Sequence, residues 1–208
     1  EAASEPETRA LMALAERYRF VASISLHTAA SAVLSPYTLD RRNPEPDLAY
    51  AIATELAARS PQRFTARHRL YPVAGADQDW LFHTYGTLAL IVEGSHHNPR
   101  DAATVQRSIE GVRPIWEGLL ERVVDGPRVS GHVRDGDGRP VPARVTVAGM
   151  VTREGEVWTA RPTDGRFDVL LPDAEPRRVV AGFGDAWPAV AEVGGTAPMT
   201  VELTLRSR

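Results

Sequence analysis

Two apolar runs in this sequence end on groups that can do chemistry. Residues 20–27, FVASISLH, close on His27, and residues 87–93, TLALIVE, close on Glu93. Imidazole is a common metal ligand and proton carrier near neutral pH. A carboxylate at the end of a buried run is costly unless it is paired or functional. In α/β sheets, ligands collect at the carboxyl ends of strands, and His27 and Glu93 both fall at such ends. Between them, in LYPVAGADQDW (70–80), Tyr71 sits in a Pro- and Gly-containing loop, followed by Asp79 and Trp80. On pattern alone, a single histidine after a strand is more often a hydrogen-bonded core or surface residue than a ligand. A single glutamate at a strand end is more often solvated. Tyr71 beside Pro72 usually means packing. His96 and His97 are adjacent and point in different directions, which suits an exposed loop better than a metal pair. His68, His83 and His132 have no suggestive partners in the sequence.

The elements that must position these residues divide into two styles. Up to about residue 125, helical and strand patterns alternate, which predicts an α/β arrangement. Ser4-Glu5-Pro6-Glu7 reads as a capping box with proline in the first turn, opening a helix to about Arg19 with Leu11, Leu14, Ala15 and Tyr18 as its stripe. A strand over 20–27 and a loop over 36–46 follow. Asp47 opens a helix with Leu48, Ile52 and Leu56 on one face, ending before Pro61. The run 87–93 is continuous rather than alternating, as in strands buried on both faces of a mostly parallel sheet. Asn98-Pro99 starts a long helix to about Val124, which Pro114 should interrupt or kink. After DGPR (125–128) seven short alternating runs separated by DGDGRP, TDGR and similar turns predict a small all-β sandwich.

Composition narrows the function. The chain has 208 residues, a net charge of −3 and no cysteine. Disulfides and thiolate metal sites are excluded, so any metal must use His, Asp or Glu. All 24 basic residues are arginine, and with the alanine-rich composition this suggests a GC-rich bacterial genome. The basic residues form no clustered stripe, so no nucleic-acid partner is expected. No apolar run reaches the ~18 residues of a membrane helix. The sequence starts at Glu1 without an initiator methionine, which reads as a processed, trimmed or fragmentary chain.

Taken together, these motifs resemble the M14 zinc metallocarboxypeptidases, and in particular their N/E (regulatory) branch. FVASISLHTAASAVLSPY (20–37) resembles the strand and loop that supply the family's last zinc-binding histidine, and PETRALMALAERYRF resembles the helix before it. LYPVAGADQDWLFHTYGTLALIVEG (70–94) resembles the active-site loop and catalytic strand, with Tyr71 and Glu93 separated by the family's 22 residues. PIWEGLLERVVDGPRVSGHVRDGDGRPVPARVTVAG resembles the passage into a transthyretin-like domain. The resemblance implies an α/β C-terminal half of a mixed-sheet carboxypeptidase domain over 1–125 and an all-β transthyretin-like sandwich over 126–208, meeting in a modest interface. It implies a zinc-dependent exopeptidase acting on peptide or protein C-termini. His27 would be a zinc ligand. Glu93 would be the general base that activates zinc-bound water and passes its proton to the leaving amine. Tyr71 would close over the C-terminal residue of the substrate, and Gln78 would line the specificity pocket.

The family's first two zinc ligands come from an upstream His-x-x-Glu, and none of the six histidines here is followed by Glu at the third position. Arg42-Asn43 does not match the Asn-Arg carboxylate clamp in order or place. Thr38 stands after Pro36-Tyr37 where basic-specific members carry an acid, with Asp40 two places on. The expectation is therefore that the N-terminal half of the domain is cleaved, carried on another chain or absent from this sequence, and that this chain alone is inactive. A secreted or periplasmic location is expected from the branch. The alternative expectation is a non-catalytic, carboxypeptidase-like peptide-binding protein that binds no zinc. A weaker one is a purely structural β-sandwich with an α/β remnant.

Overall fold

In the computed structural model, residues 3–39, 43–150 and 155–207 are described. Helix α1 (Pro6–Tyr18) places Pro6 in its first turn as expected, but its N-cap is Glu5, with no side-chain cap bond. Ser4 Oγ instead donates to Glu5 Oε1 at 3.0 Å, so the expected capping box does not form. Of the α1 stripe only Ala15 is buried, and Leu11, Leu14 and Tyr18 remain exposed. Strand β1 (Ala22–His27) and strand β2 (Ala30–Leu34) follow. β2 arises from the small-residue run after His27, which carries weak strand propensity. In helix α2 (Leu48–Arg59), the Asp47 side chain accepts from Tyr50 N, and the helix ends before Pro61 as expected.

Two elements of the site region carry little local signal. Strand β3 (Thr65–Arg67) is three residues held in parallel to β2. Helix α3 (Asp77–Tyr85) is capped by Ala76 without a side-chain bond, so no polar N-cap announces it. Strand β4 (Leu88–Ser95) is buried on both faces, as its continuous apolar run predicts. It lies parallel to β1 and antiparallel to β2, giving a mixed sheet of order β1-β4-β2-β3. Helix α4 (Ala102–Asp125) starts at an Asp101 cap rather than at Asn98-Pro99, and it runs through Pro114 without interruption. Burial of Val112, Ile115 and Leu119 around the proline offsets the lost backbone bond.

The sheet is sandwiched between helices. On one face, Val33, Leu88, Leu90 and Val92 share a core with Ile52 and Leu56 of α2 and with Ile115 and Leu119 of α4. On the other, Ala89 packs with Ala15 of α1 and Leu81 of α3, with Trp80 and Tyr85 alongside.

All seven β-runs predicted after residue 125 form strands: β5 (Arg128–Arg134), β6 (Arg144–Val147), β7 (Trp158–Thr159), β8 (Arg166–Leu170), β9 (Arg177–Gly182), β10 (Ala189–Val193) and β11 (Met199–Thr204). They make two sheets, β10-β9-β6-β7 and β11-β5-β8, around one core that includes Val129, Val145, Phe167, Val179 and Leu203. Polar and packing contacts join this sandwich to the α/β part. Tyr37 Oη donates to Glu156 Oε1 at 2.7 Å, Arg122 Nη2 donates to Leu171 O at 2.6 Å, and Arg19 Nη1 donates to Thr159 Oγ1 at 2.8 Å.

Candidate functional site

Parallel pairing of β1 with β4 puts His27 opposite Glu93 in register. Because side chains alternate along a strand, both stand on the face covered by α1 and α3. His27 Nε2 lies 3.0 Å from Ser25 Oγ, two residues back on that face. Glu93 is 7% exposed, and its Oε2 is buried without a hydrogen-bond partner. Burial pushes the Glu93 carboxyl above its ordinary range, and the His27 imidazole pulls part of the way back. A carboxyl held in this state is suited to exchange protons.

A cavity of about 790 Å³ opens beside this pair. Its lining brings together all four residues singled out from the sequence: His27, Tyr71, Gln78 and Glu93. Tyr71 stands 68% exposed on the loop before α3. Gln78, in the first turn of α3, is 2% exposed, and its Oε1 has no hydrogen-bond partner. Leu34 and Ile91, cross-strand partners on β2 and β4, form an apolar wall of the same cavity. Thr38 also lines it and is tied to α3, with Thr38 Oγ1 donating to Asp79 Oδ2 at 2.7 Å and Thr38 N donating to the same carboxylate at 3.0 Å. Arg69, whose guanidinium donates to Leu39 O, lies on the lining as well. Neither Arg69 nor Ile91 stands out in the sequence, because only the fold brings β4 and the exit of β3 to one cavity.

The other candidates lie elsewhere. His96 and His97 are exposed after β4. Asn43 does not reach the cavity: its Nδ2 donates to Pro36 O and to Asp47 Oδ2, both at 2.8 Å. Arg42 and Asp40 lie outside the described residues. His68 and His132 do have partners that the sequence did not suggest. His132 Nδ1 lies 2.9 Å from Glu202 Oε1 on the sandwich surface, and His68 is buried beside Ser35 and Asp47.

Among the described residues, no group of three or more His, Asp or Glu side chains could hold a metal ion. Protein zinc sites use three or four protein ligands. His27 would be one, so the described residues do not fit zinc by themselves.

The mixed sheet covered by helices thus carries an imidazole and a buried carboxyl in register at its strand ends. Residues 1–111 match the zinc carboxypeptidase family of M14 peptidases, and the chain belongs to that family. The membership points to a carboxypeptidase-type hydrolase whose activity uses zinc. No curated protein matches the chain. Among solved structures, one similar chain comes from a type II cohesin–X-dockerin complex of Acetivibrio cellulolyticus. It is 17% identical, covers 38% of this chain and 53% of that one, and has a TM-score of 0.30. Another is the C-terminal domain of the Caf1A usher, 16% identical, covering 38% of this chain and 97% of that one, with a TM-score of 0.25.

Proposed function

We propose that this chain is the C-terminal portion of a bacterial, N/E-type carboxypeptidase that removes C-terminal residues from peptides. Residues 1–125 are the C-terminal part of the catalytic domain, and 126–208 are a transthyretin-like sandwich that buttresses it. The observation that carries this reading is the pairing of His27 with Glu93 on the one cavity that also holds Tyr71 and Gln78. In the assembled site His27 is one zinc ligand, and the remaining ligands and the carboxylate clamp come from the N-terminal half. Zinc, when bound, supplies Lewis acidity. Glu93 takes up and returns a proton, Tyr71 contacts the substrate's terminal residue, and Gln78 lines its side-chain pocket.

The sheet also supports a missing partner half. β1 is an edge strand among the described residues, and its Leu26 is 62% exposed. Leu11, Leu14 and Tyr18 of α1 and Ile109, Trp116 and Leu120 of α4 are exposed apolar residues as well. An open strand edge with unpartnered apolar side chains suits the docking of further strands and helices. A secreted or periplasmic setting fits this proposal.

Native mass spectrometry of the protein from its source, paired with hydrolysis of blocked dipeptides, tests the reading. A second polypeptide with one zinc per complex, together with release of C-terminal residues, is the expected result. A lone chain of 22.7 kDa without zinc or hydrolysis would replace it with the non-catalytic peptide-binding reading.

A further inference from the structure

The segment that carries Tyr71 leaves β3 through His68, which is 7% exposed. Polar groups from separate parts of the chain enclose its ring. Nδ1 lies 3.1 Å from Ser35 Oγ, Nε2 lies 3.6 Å from Asp47 Oδ2, and the Tyr50 ring is tilted against it at 4.7 Å. Ser35 has no exposure at all, and the Asp47 side chain is 7% exposed.

The donors around Nδ1 decide how the ring is wired. Asn43 Nδ2 carries hydrogens and no lone pair to offer, and it donates to Pro36 O and to Asp47 Oδ2. It also lies 3.5 Å from His68 Nδ1, and as a donor-only group it approaches a bare, accepting Nδ1. The arrangement selects the tautomer in which bare Nδ1 accepts from Ser35 and the Nε2 hydrogen faces Asp47. The set contains serine, histidine and aspartate, but Ser35 is sealed from solvent and from the cavity, so it is no nucleophile.

The cluster sits where two cavity-forming segments meet. Ser35 follows Leu34, a cavity wall residue, and lies three positions before Thr38, another. His68 precedes Arg69, Leu70 and Tyr71, which all line the same cavity. Asp47 caps α2 through Tyr50 N at 2.9 Å. Ser35 N also donates to Arg67 O at 2.9 Å, so backbone and side-chain bonds tie the two cavity-forming segments at one point.

We infer that His68 is a positioning residue: through its bond to Ser35 it locks the start of the Tyr71 segment to β2, beside Asp47 at the N-terminus of α2, and so sets one side of the cavity. The inference rests on the proposed function only for the role of Tyr71. The lock itself is a property of this chain and is read without any assay of activity.

Nuclear magnetic resonance on the 208-residue chain tests it in two ways. Long-range proton–nitrogen correlation should show His68 with its hydrogen on Nε2 when neutral, and a hydrogen on Nδ1 overturns the wiring. Backbone order parameters of Arg69, Leu70 and Tyr71 should lie near the rigid value of about 0.85 in the wild type and fall below about 0.6 in His68→Phe. Leu90 and Val92 of β4 should stay rigid, and His68→Asn, which keeps an acceptor near Nδ1, should restore much of the order. Unchanged order at 69–71, or an equal loss in β4, overturns the inference. Should His68→Phe fail to fold, Ser35→Ala removes one buried hydroxyl of the same lock and is judged by the same order parameters.

Discussion

Glu93 has His27 in register on one side and Ala32 on the other, so its flanking strands offer one titratable partner and one methyl group. With Oε2 buried and unpartnered, the carboxyl is costly to ionise, and the imidazole offsets a small part of that cost. Proton transfer and stability are therefore coupled at one residue.

The folded-state pKa of Glu93 is raised above 4.5, first by burial, with His27 opposing. Relative stability from this group is complete below the unfolded value and is lost as pH rises through the folded value. Glu93→Gln should therefore unfold at higher urea than wild type at pH 7, and the two midpoints should converge below about pH 4. Parallel midpoints across that range would refute the coupling. In the assembled enzyme the same change should lower turnover by about 10²–10⁴-fold, the scale of a lost proton-transfer group.

His27 is exposed, so His27→Ala should change stability by no more than about 0.5 kcal/mol. The zinc content of the assembled protein, measured by elemental mass spectrometry, should drop to background. Full zinc retention in the variant would remove His27 from the ligand set.

Gly86 closes α3 with φ +69°, and a Cβ there would meet Trp158 Nε1 of the sandwich at 2.3 Å. Gly75 has φ +79° and open space around it, so it serves as the control. Gly75→Ala should cost about 1–2 kcal/mol for left-handed backbone alone. Gly86→Ala should cost at least about 1 kcal/mol more, from overpacking against the indole. Equal losses in chemical denaturation would mean that α3 and the sandwich do not bear on each other there.

Tyr37 is buried and donates to Glu156, itself 3% exposed, across the junction with the sandwich. Tyr37→Phe should cost about 1–3 kcal/mol, the range for leaving a buried acceptor unsatisfied. A Tyr37→Phe, Glu156→Gln double-mutant cycle should show non-additive losses, and strict additivity would argue against a direct bond.

Much of this architecture was legible in the sequence because local signals were strong. The continuous apolar run 87–93, the Asp47 cap and the alternating runs after residue 125 each specify one element. β3 and α3 were not legible, since three residues and an uncapped start carry little local preference, and tertiary pairing decides them. The site was partly legible: strand-end positions singled out His27 and Glu93, whereas Gln78 became a candidate through family resemblance alone. His68 could not be read, because its partners lie 33 and 21 positions away in sequence and meet it only in the folded chain.

In the sandwich, β5 runs parallel to β11, with Val129 beside Met199. During synthesis, the first strand of that sheet must wait about 70 residues for its neighbour to leave the ribosome. Until then it has only antiparallel β8, whose residues 166–170 pair with it, and its other edge stays open to any passing chain. The α/β elements, finished earlier, can serve in that interval as a surface on which the nascent sandwich collects, so ribosomal pausing after residue 170 should favour misassembly more than pausing before residue 125.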